Sequence, residues 1–311
     1  MRVLVVGAGA IGGYFGGRLS EAGRDVTFLV RAGRAAQLAR DGLVIRSPRG
    51  DAHLAAPAFV TAEQIAGPYD LVLLSCKAYD LDSAMDGVAA AVGPGTVILP
   101  LLNGINHMDA LAARFGAAHV FGGQCAISAT LGASGEVLHL AEGAALSFGA
   151  RDAAGTALVA AVGGVLLGAP GFDARASEAI MQDMWEKWVF LATLAAMTCL
   201  MRSAVGDIVT AGGAAAVRGV LDECRAAAAA AGFAPREAHV AWATKMLTSA
   251  GSAFTASMLR DVEAGGRTEA DHVIGDMLRR RDAALGDEGG LLRVAYLHLK
   301  AYEARRVRQA G

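Results

Sequence analysis

Cysteine is scarce: Cys76, Cys125, Cys199 and Cys224 are the four in 311 residues, widely spaced, with no CxxC pair and no histidine at ligand spacing. Neither a disulfide framework nor a metal site is expected. An excess of one charge is also missing. The 28 Lys plus Arg against 30 Asp plus Glu give a formal charge of -2, which supplies no broad cationic surface to neutralise phosphates. Nucleic acid is therefore not an expected partner. No uncharged apolar run reaches the roughly 20 residues of a bilayer-spanning helix. The longest such run, residues 188–201, reads as a buried core helix and no membrane association is expected. Met1 and Arg2 lead straight into Val3-Leu4-Val5-Val6 without a charged n-region, apolar h-region and cleavage site, so the expected compartment is the cytoplasm.

What is abundant is apolar surface, 54% of residues against 19% charged, far from the composition of a disordered chain. A chain of this length suggests two domains. Short apolar runs at 2–6, 25–30, 70–75, 96–101 and 119–121 alternate with helical stretches, the pattern of a parallel sheet covered on both faces. From Cys125 the runs 125–131, 136–140 and 145–148 are separated by glycine turns, as in an antiparallel ribbon closing the first domain. A small-residue helix follows, then the breaker cluster Gly168-Ala-Pro-Gly171, beyond which helical periodicity dominates and a helix start falls near Ser177 and Glu178. The expected fold is an α/β Rossmann-type parallel-sheet domain over 1–172 and an all-helical domain over 173–311. The arginines at 279–281 and 305–308, with acidic neighbours Asp282 and Glu303, are expected to solvate helix faces.

Gly7-Ala8-Gly9-Ala10-Ile11-Gly12 follows the first strand directly and opens an amphipathic helix. Its glycines permit the tight turn, the close approach of a pyrophosphate to backbone amides, and close helix-to-strand packing. The alternative is a merely structural turn. A strand before, a helix after and a second strand at 25–30 favour a dinucleotide. An NAD site places an acid near the end of that second strand, whereas this chain has Arg31, with Arg34 nearby and no acid between Asp25 and Asp41. A 2′-phosphate is the expected ligand of Arg31, hence NADP(H); a plain surface cation is the other reading.

Lysine is the rarest cation. Lys77, Lys187, Lys245 and Lys300 stand against 24 arginines. Because a desolvated lysine can exchange its proton near neutral pH and arginine cannot, a lysine among apolar neighbours is a candidate acid. Lys77 lies at the carboxyl end of the 70–75 strand and Asn103 just past the 96–101 strand, on the rim where open α/β sheets bind ligands. Lys187 falls in Met184-Trp-Glu-Lys-Trp-Val-Phe-Leu191, where an i,i+4 ion pair with Asp183 competes with an acid-base role. Spacing leaves both open. Ser257, Asp261 and Glu269 offer a hydroxyl and carboxylates that could equally be caps.

In combination these segments resemble the ketopantoate reductase (2-dehydropantoate 2-reductase) family over nearly the whole chain: GAGAIGGYFGGRL at 7–19, Arg31, CKAYD around Lys77, Leu102-Asn103-Gly104, WEKWVF carrying Lys187, and SMLRDVEAGGRTEAD at 257–271. The resemblance implies reduction of a 2-oxo acid by NADPH, as of 2-dehydropantoate to pantoate in pantothenate biosynthesis, in the cleft of a Rossmann domain joined to a helical one. Carried over by position, Lys187 is the general acid, Gly7, Gly9, Ala10, Ile11, Gly12 and Arg31 hold the cofactor, and Lys77 and Asn103 hold cofactor and substrate near the nicotinamide. Ser257 and Glu269 bind the substrate carboxylate and orient the lysine. The chain departs from the pattern at Leu191 and Phe254, where family members carry asparagine, and at 286–290, where Gly-Asp-Glu-Gly-Gly replaces a Pro-and-Asn segment. Both asparagine losses fall on the substrate side and suit a more apolar 2-oxo acid. A related helix-lysine dehydrogenase, a nonenzymatic NADP(H) sensor and a methyltransferase are the competing readings; a homodimer is compatible with the sequence.

Overall fold

Val3, Leu4 and Val5 are wholly buried, as is every residue of Leu71–Leu74, the pattern of short strands covered on both faces. These runs are β1 (Arg2–Val6) and β6 (Leu71–Leu74) in a computed structural model that describes residues 1–286 and 289–310. In chain order the elements around them are α1 (Ala10–Glu21), β2 (Asp25–Leu29), α2 (Ala32–Asp41), β3 (Leu43–Arg46), β4 (Ala52–Leu54) and β5 (Phe59–Val60). After β6 come α3 (Leu81–Val88), β7 (Val97–Pro100), α4 (Asn106–Phe115), β8 (Gly122–Leu131), β9 (Val137–Gly149), α5 (Thr156–Leu166) and β10 (Asp173–Ala176).

The described chain divides into two compact units. The first comprises residues 1–102 and 107–180, the second 103–106 and 181–311. In the first unit a parallel sheet runs β5-β2-β1-β6-β7, with Val6 opposite Leu29 and Leu74 at the strand ends. A second sheet runs β10-β9-β3-β4, and β8 pairs antiparallel with β9. Helix α1 packs against both sheets. A Cβ at Gly16 would stand 2.6 Å from Phe28 of β2, and one at Gly17 would stand 2.7 Å from Ile45 of β3. The Gly-Gly pairs flanking Tyr14 and Phe15 thus set the thickness of this layered core.

Residues 119–121 form no named strand; a 3-10 turn at Ala117–His119 leads to a single bridge between Val120 and Ile98. The runs at 136–140 and 145–148 belong to one strand, β9, whose residues 140–143 stand against the single Ser128 of β8 where the register shifts between Ile127 and Ala129. β3, β4 and β5 are short, and β10 lies beyond the Gly168–Gly171 breaker; no long apolar run marks any of them in the sequence. Since β10 pairs with β9 from Asp173 opposite Ala145 onward, it completes the first unit, which runs to Ile180 rather than stopping at 172.

The second unit is built on α6 (Ile180–Met201), α7 (Val205–Thr210), α8 (Ala214–Ala230), α9 (Glu237–Leu247), α10 (Ser257–Glu263), α11 (Asp276–Leu285) and α12 (Leu291–Ala310). The Ala-rich run of α8 gives high helix propensity, and its Val217, Val220, Leu221 and Cys224 are buried. Burial pushes the Cys224 and Cys199 thiols up to about 12, so neither is a nucleophile at neutral pH. Arg281 does not solvate a helix face. It is buried, pairs with Glu223 and donates to Asp282 at 2.7 Å, because an interior guanidinium must be neutralised. Asp287 and Glu288 of the 286–290 replacement lie outside the described residues. No helix among the described residues is long and apolar enough to cross a membrane.

Candidate active site

In the first unit the loop after β1 is fixed from three sides. Gly7 N donates to Leu29 O at 2.9 Å, Ser75 Oγ to Val6 O at 2.8 Å and Arg34 Nε to Ala8 O at 3.0 Å. A Cβ at Gly12 would lie 2.1 Å from the Gly7 carbonyl and 2.3 Å from Ser75 Oγ, so no larger residue fits between helix and strand. At Gly9, the N-cap of α1, nothing lies within 4 Å of where a Cβ would stand. That open space above the first amides of a twelve-residue helix is a cradle an anion can enter, and it fits a pyrophosphate. Ala10 and Ile11 form the first turn of that helix.

Arg31 caps α2 and is largely exposed, 3.2 Å from Asp80. Asp80 closes the 3-10 turn Ala78–Asp80 that follows Lys77 and donates its amide to the Lys77 carbonyl at 2.9 Å. This links Arg31 to the CKAYD segment. Lys77 itself is half-buried. Arg34, by contrast, is committed to the scaffold: besides Ala8 it donates to Gln37 and to the Gly135 carbonyl.

The second unit brings Lys187 and Asn103 together. Asn103, expected on the Rossmann rim, groups with the helical unit, and its Oδ1 accepts a hydrogen bond from Lys187 Nζ at 3.3 Å. Lys187 is half-buried on α6. Asp183, the expected i,i+4 partner, binds Arg236 at 2.6 Å, and Glu186 accepts from the Arg236 amide and guanidinium at 2.8 Å each. Charge-assisted bonds of this kind contribute roughly 1.5 to 3 kcal/mol each when buried, less with an arginine as exposed as this one. They fix the turn of α6 that carries the lysine.

Glu269 is buried, three residues before His272. His272 belongs to no motif in the sequence, yet its ring lies against Gly104 and hydrogen-bonds the Asn103 backbone. Burial holds its pKa below the ordinary histidine value, against the opposing influence of Glu269 and Asp276. The only hint in the sequence was a titratable ring in an otherwise apolar Val-Ile-Gly run. Ser257 is exposed at the first residue of α10, and Leu191 is half-buried one turn beyond Lys187. Phe254 stacks on Phe190 with centroids 6.0 Å apart, and Phe190 meets Trp242 at 4.7 Å. Trp242 and Phe254 keep 47% and 38% of their surface exposed, which makes an open aromatic wall starting one turn from the lysine.

A Rossmann-type sheet with a phosphate cradle, joined to a helical unit with an amide-held lysine, defines a dinucleotide-dependent oxidoreductase. The family profile "Ketopantoate reductase PanE/ApbA" matches residues 3–153, and its C-terminal counterpart matches residues 179–286. The chain belongs to the ketopantoate reductase family. It is 34% identical over 307 residues, 98% of this chain and 100% of the other, to the "Uncharacterized oxidoreductase YkpB" of Bacillus subtilis. It is 29% identical to the 2-dehydropantoate 2-reductase of Halobacterium salinarum, covering 90% and 92% of the two chains. The crystal structure of 2-dehydropantoate 2-reductase from Methylococcus capsulatus superposes with a TM-score of 0.86 over 98% of each chain at 28% identity.

Proposed function

We propose that the protein reduces a 2-oxo acid to the 2-hydroxy acid with NADPH, Lys187 acting as general acid, 2-dehydropantoate to pantoate being the reaction named for its relatives. The observation that carries this reading is the 3.3 Å bond from Lys187 Nζ to Asn103 Oδ1. An amide oxygen accepts from the lysine without competing for its proton, so the bond aims the nitrogen. The nicotinamide, when bound, supplies the hydride. Gly7, Gly9 and Gly12, with the amides of Ala10 and Ile11, hold the pyrophosphate, Arg31 holds the 2′-phosphate, and Lys77 holds the cofactor and substrate near the reacting carbon. As negative charge develops on the substrate oxygen, the Lys187 ammonium stabilises it more than the ground-state carbonyl and then donates the proton. Ser257 binds the substrate carboxylate, and Glu269 favours the charged state of the lysine.

A more apolar 2-oxo acid is the second reading, favoured by the Phe190, Trp242 and Phe254 wall and by Leu191. Such a surface gains from burying a hydrocarbon side chain and offers a substrate hydroxyl nothing to bond. NADPH oxidation should be followed against 2-dehydropantoate and against 2-oxo acids with branched or aromatic unhydroxylated side chains. Turnover of at least one is expected, and Phe254→Asn should shift kcat/KM toward 2-dehydropantoate by roughly tenfold. NADPH binding with no turnover across the panel would mean a sensor, not a reductase.

A further inference from the structure

We propose that His272 is a positioning residue that clamps Asn103-Gly104 and, through the Asn103 amide, aims the Lys187 ammonium. The inference rests on the reading of Lys187 as the acid and adds a residue to it. Three contacts converge on one turn. Gly104 has φ +78, a left-handed conformation that favours glycine, and a Cβ there would stand 3.0 Å from His272 Cδ2 and from the His272 carbonyl oxygen, and 3.3 Å from Nε2. The ring therefore reaches the segment only because position 104 has no side chain. Its hydrogen bond goes to the Asn103 backbone, while the Asn103 side chain accepts from Lys187. One residue is thus held from both ends.

The turn that carries His272 is itself anchored beside the lysine. Residues Asp271–Gly275 form a π-helical turn, in which the amides of His272 and Val273 both donate to Glu269 O, at 3.1 and 2.9 Å. The Val273 carbonyl accepts from Trp188 Nε1 at 2.9 Å, and Trp188 is the neighbour of Lys187. The wide turn directs the ring at Gly104 while tying its backbone to α6. Glu269 and Asp276 act on the ring in favour of its proton, whereas burial and Arg279 act against it. Kept neutral, the imidazole has a ring N–H to donate to the Asn103 carbonyl and adds no second positive charge near the ammonium.

A clamp and a mere packing group are separated by two substitutions with opposite properties. His272→Phe keeps a ring of similar size without a donor; His272→Gln keeps a donor without a ring. A clamp predicts that His272→Phe lowers kcat by about 10- to 100-fold with KM for NADPH changed less than about threefold, and that His272→Gln stays within about fivefold of the parent. Amide exchange over residues 103–106 should accelerate about tenfold in His272→Phe and remain slow in His272→Gln. Gly104→Ala, which drives a methyl into the same contact, should reproduce the loss of kcat and serves if His272→Phe does not fold. Parental kcat and exchange in His272→Phe, or a His272→Gln variant worse than His272→Phe, overturns the proposal. Wild-type protein that reduces no 2-oxo acid would remove the reductase reading, while the exchange measurement would still decide the clamp.

Discussion

Lys187→Ala is expected to lower kcat by roughly 10²- to 10⁴-fold while the Kd for NADPH stays within about threefold. The magnitude follows from what is lost. Without the ammonium, charge developing on the substrate oxygen has only water to meet it, and the proton must come from solvent. The cofactor contacts proposed above lie on the glycine loop, Arg31 and Lys77, none of which shares a turn with Lys187. Kcat and kcat/KM should therefore fall together, the pattern of an interaction made in the transition state. Steady-state kinetics with a fluorescence titration of NADPH checks both halves. Activity within tenfold of the parent would remove Lys187 from the mechanism.

Arg31→Ala should lower kcat/KM with NADPH by about 10- to 100-fold and leave that with NADH within about twofold. The guanidinium is exposed and its pairing with Asp80 at 3.2 Å is the kind of surface ion pair that contributes at most about 1 kcal/mol. A 2′-phosphate, carrying more charge and three acceptor oxygens, displaces such a partner readily. Arg34 is held elsewhere: its Nε and Nη1 donate to Ala8, Gln37 and Gly135, and its Nη2 is buried away from solvent. The ratio of the two specificity constants is the quantity to measure. A parent that prefers NADH, or an equal loss with both cofactors, would leave Arg31 as a surface cation.

Where local chemistry is sufficient, sequence reading reaches the structure. A glycine at position 12 is demanded by a carbonyl 2.1 Å from any Cβ, and that demand shows as a motif. Lys187 stood out because arginine fills most other cationic positions, and the structure does bring it to Asn103. What stayed hidden depends on contacts distant in the chain. β3, β4 and β10 are three- or four-residue strands defined by their partners rather than by a long apolar run. Asn103 follows β7 as a rim residue should, but its grouping with residues beyond 180 has no local signal in the sequence. His272 was invisible for the same reason, since its partner Gly104 is remote in sequence and carries no side chain to betray the contact. The aromatic wall was half legible: Phe254 was noted, while Phe190 and Trp242 join it only in the fold.

Hydride delivery to the carbonyl carbon of a 2-oxo acid leaves an isotopic trace in the product. NADPH carrying deuterium at the transferable position should be incubated with the protein and the best substrate of the panel, and the product analysed by mass spectrometry. One deuterium is expected at C2 of a 2-hydroxy acid, formed in step with NADPH consumed. A product without deuterium, or labelled NADPH that binds and is never consumed, would contradict it.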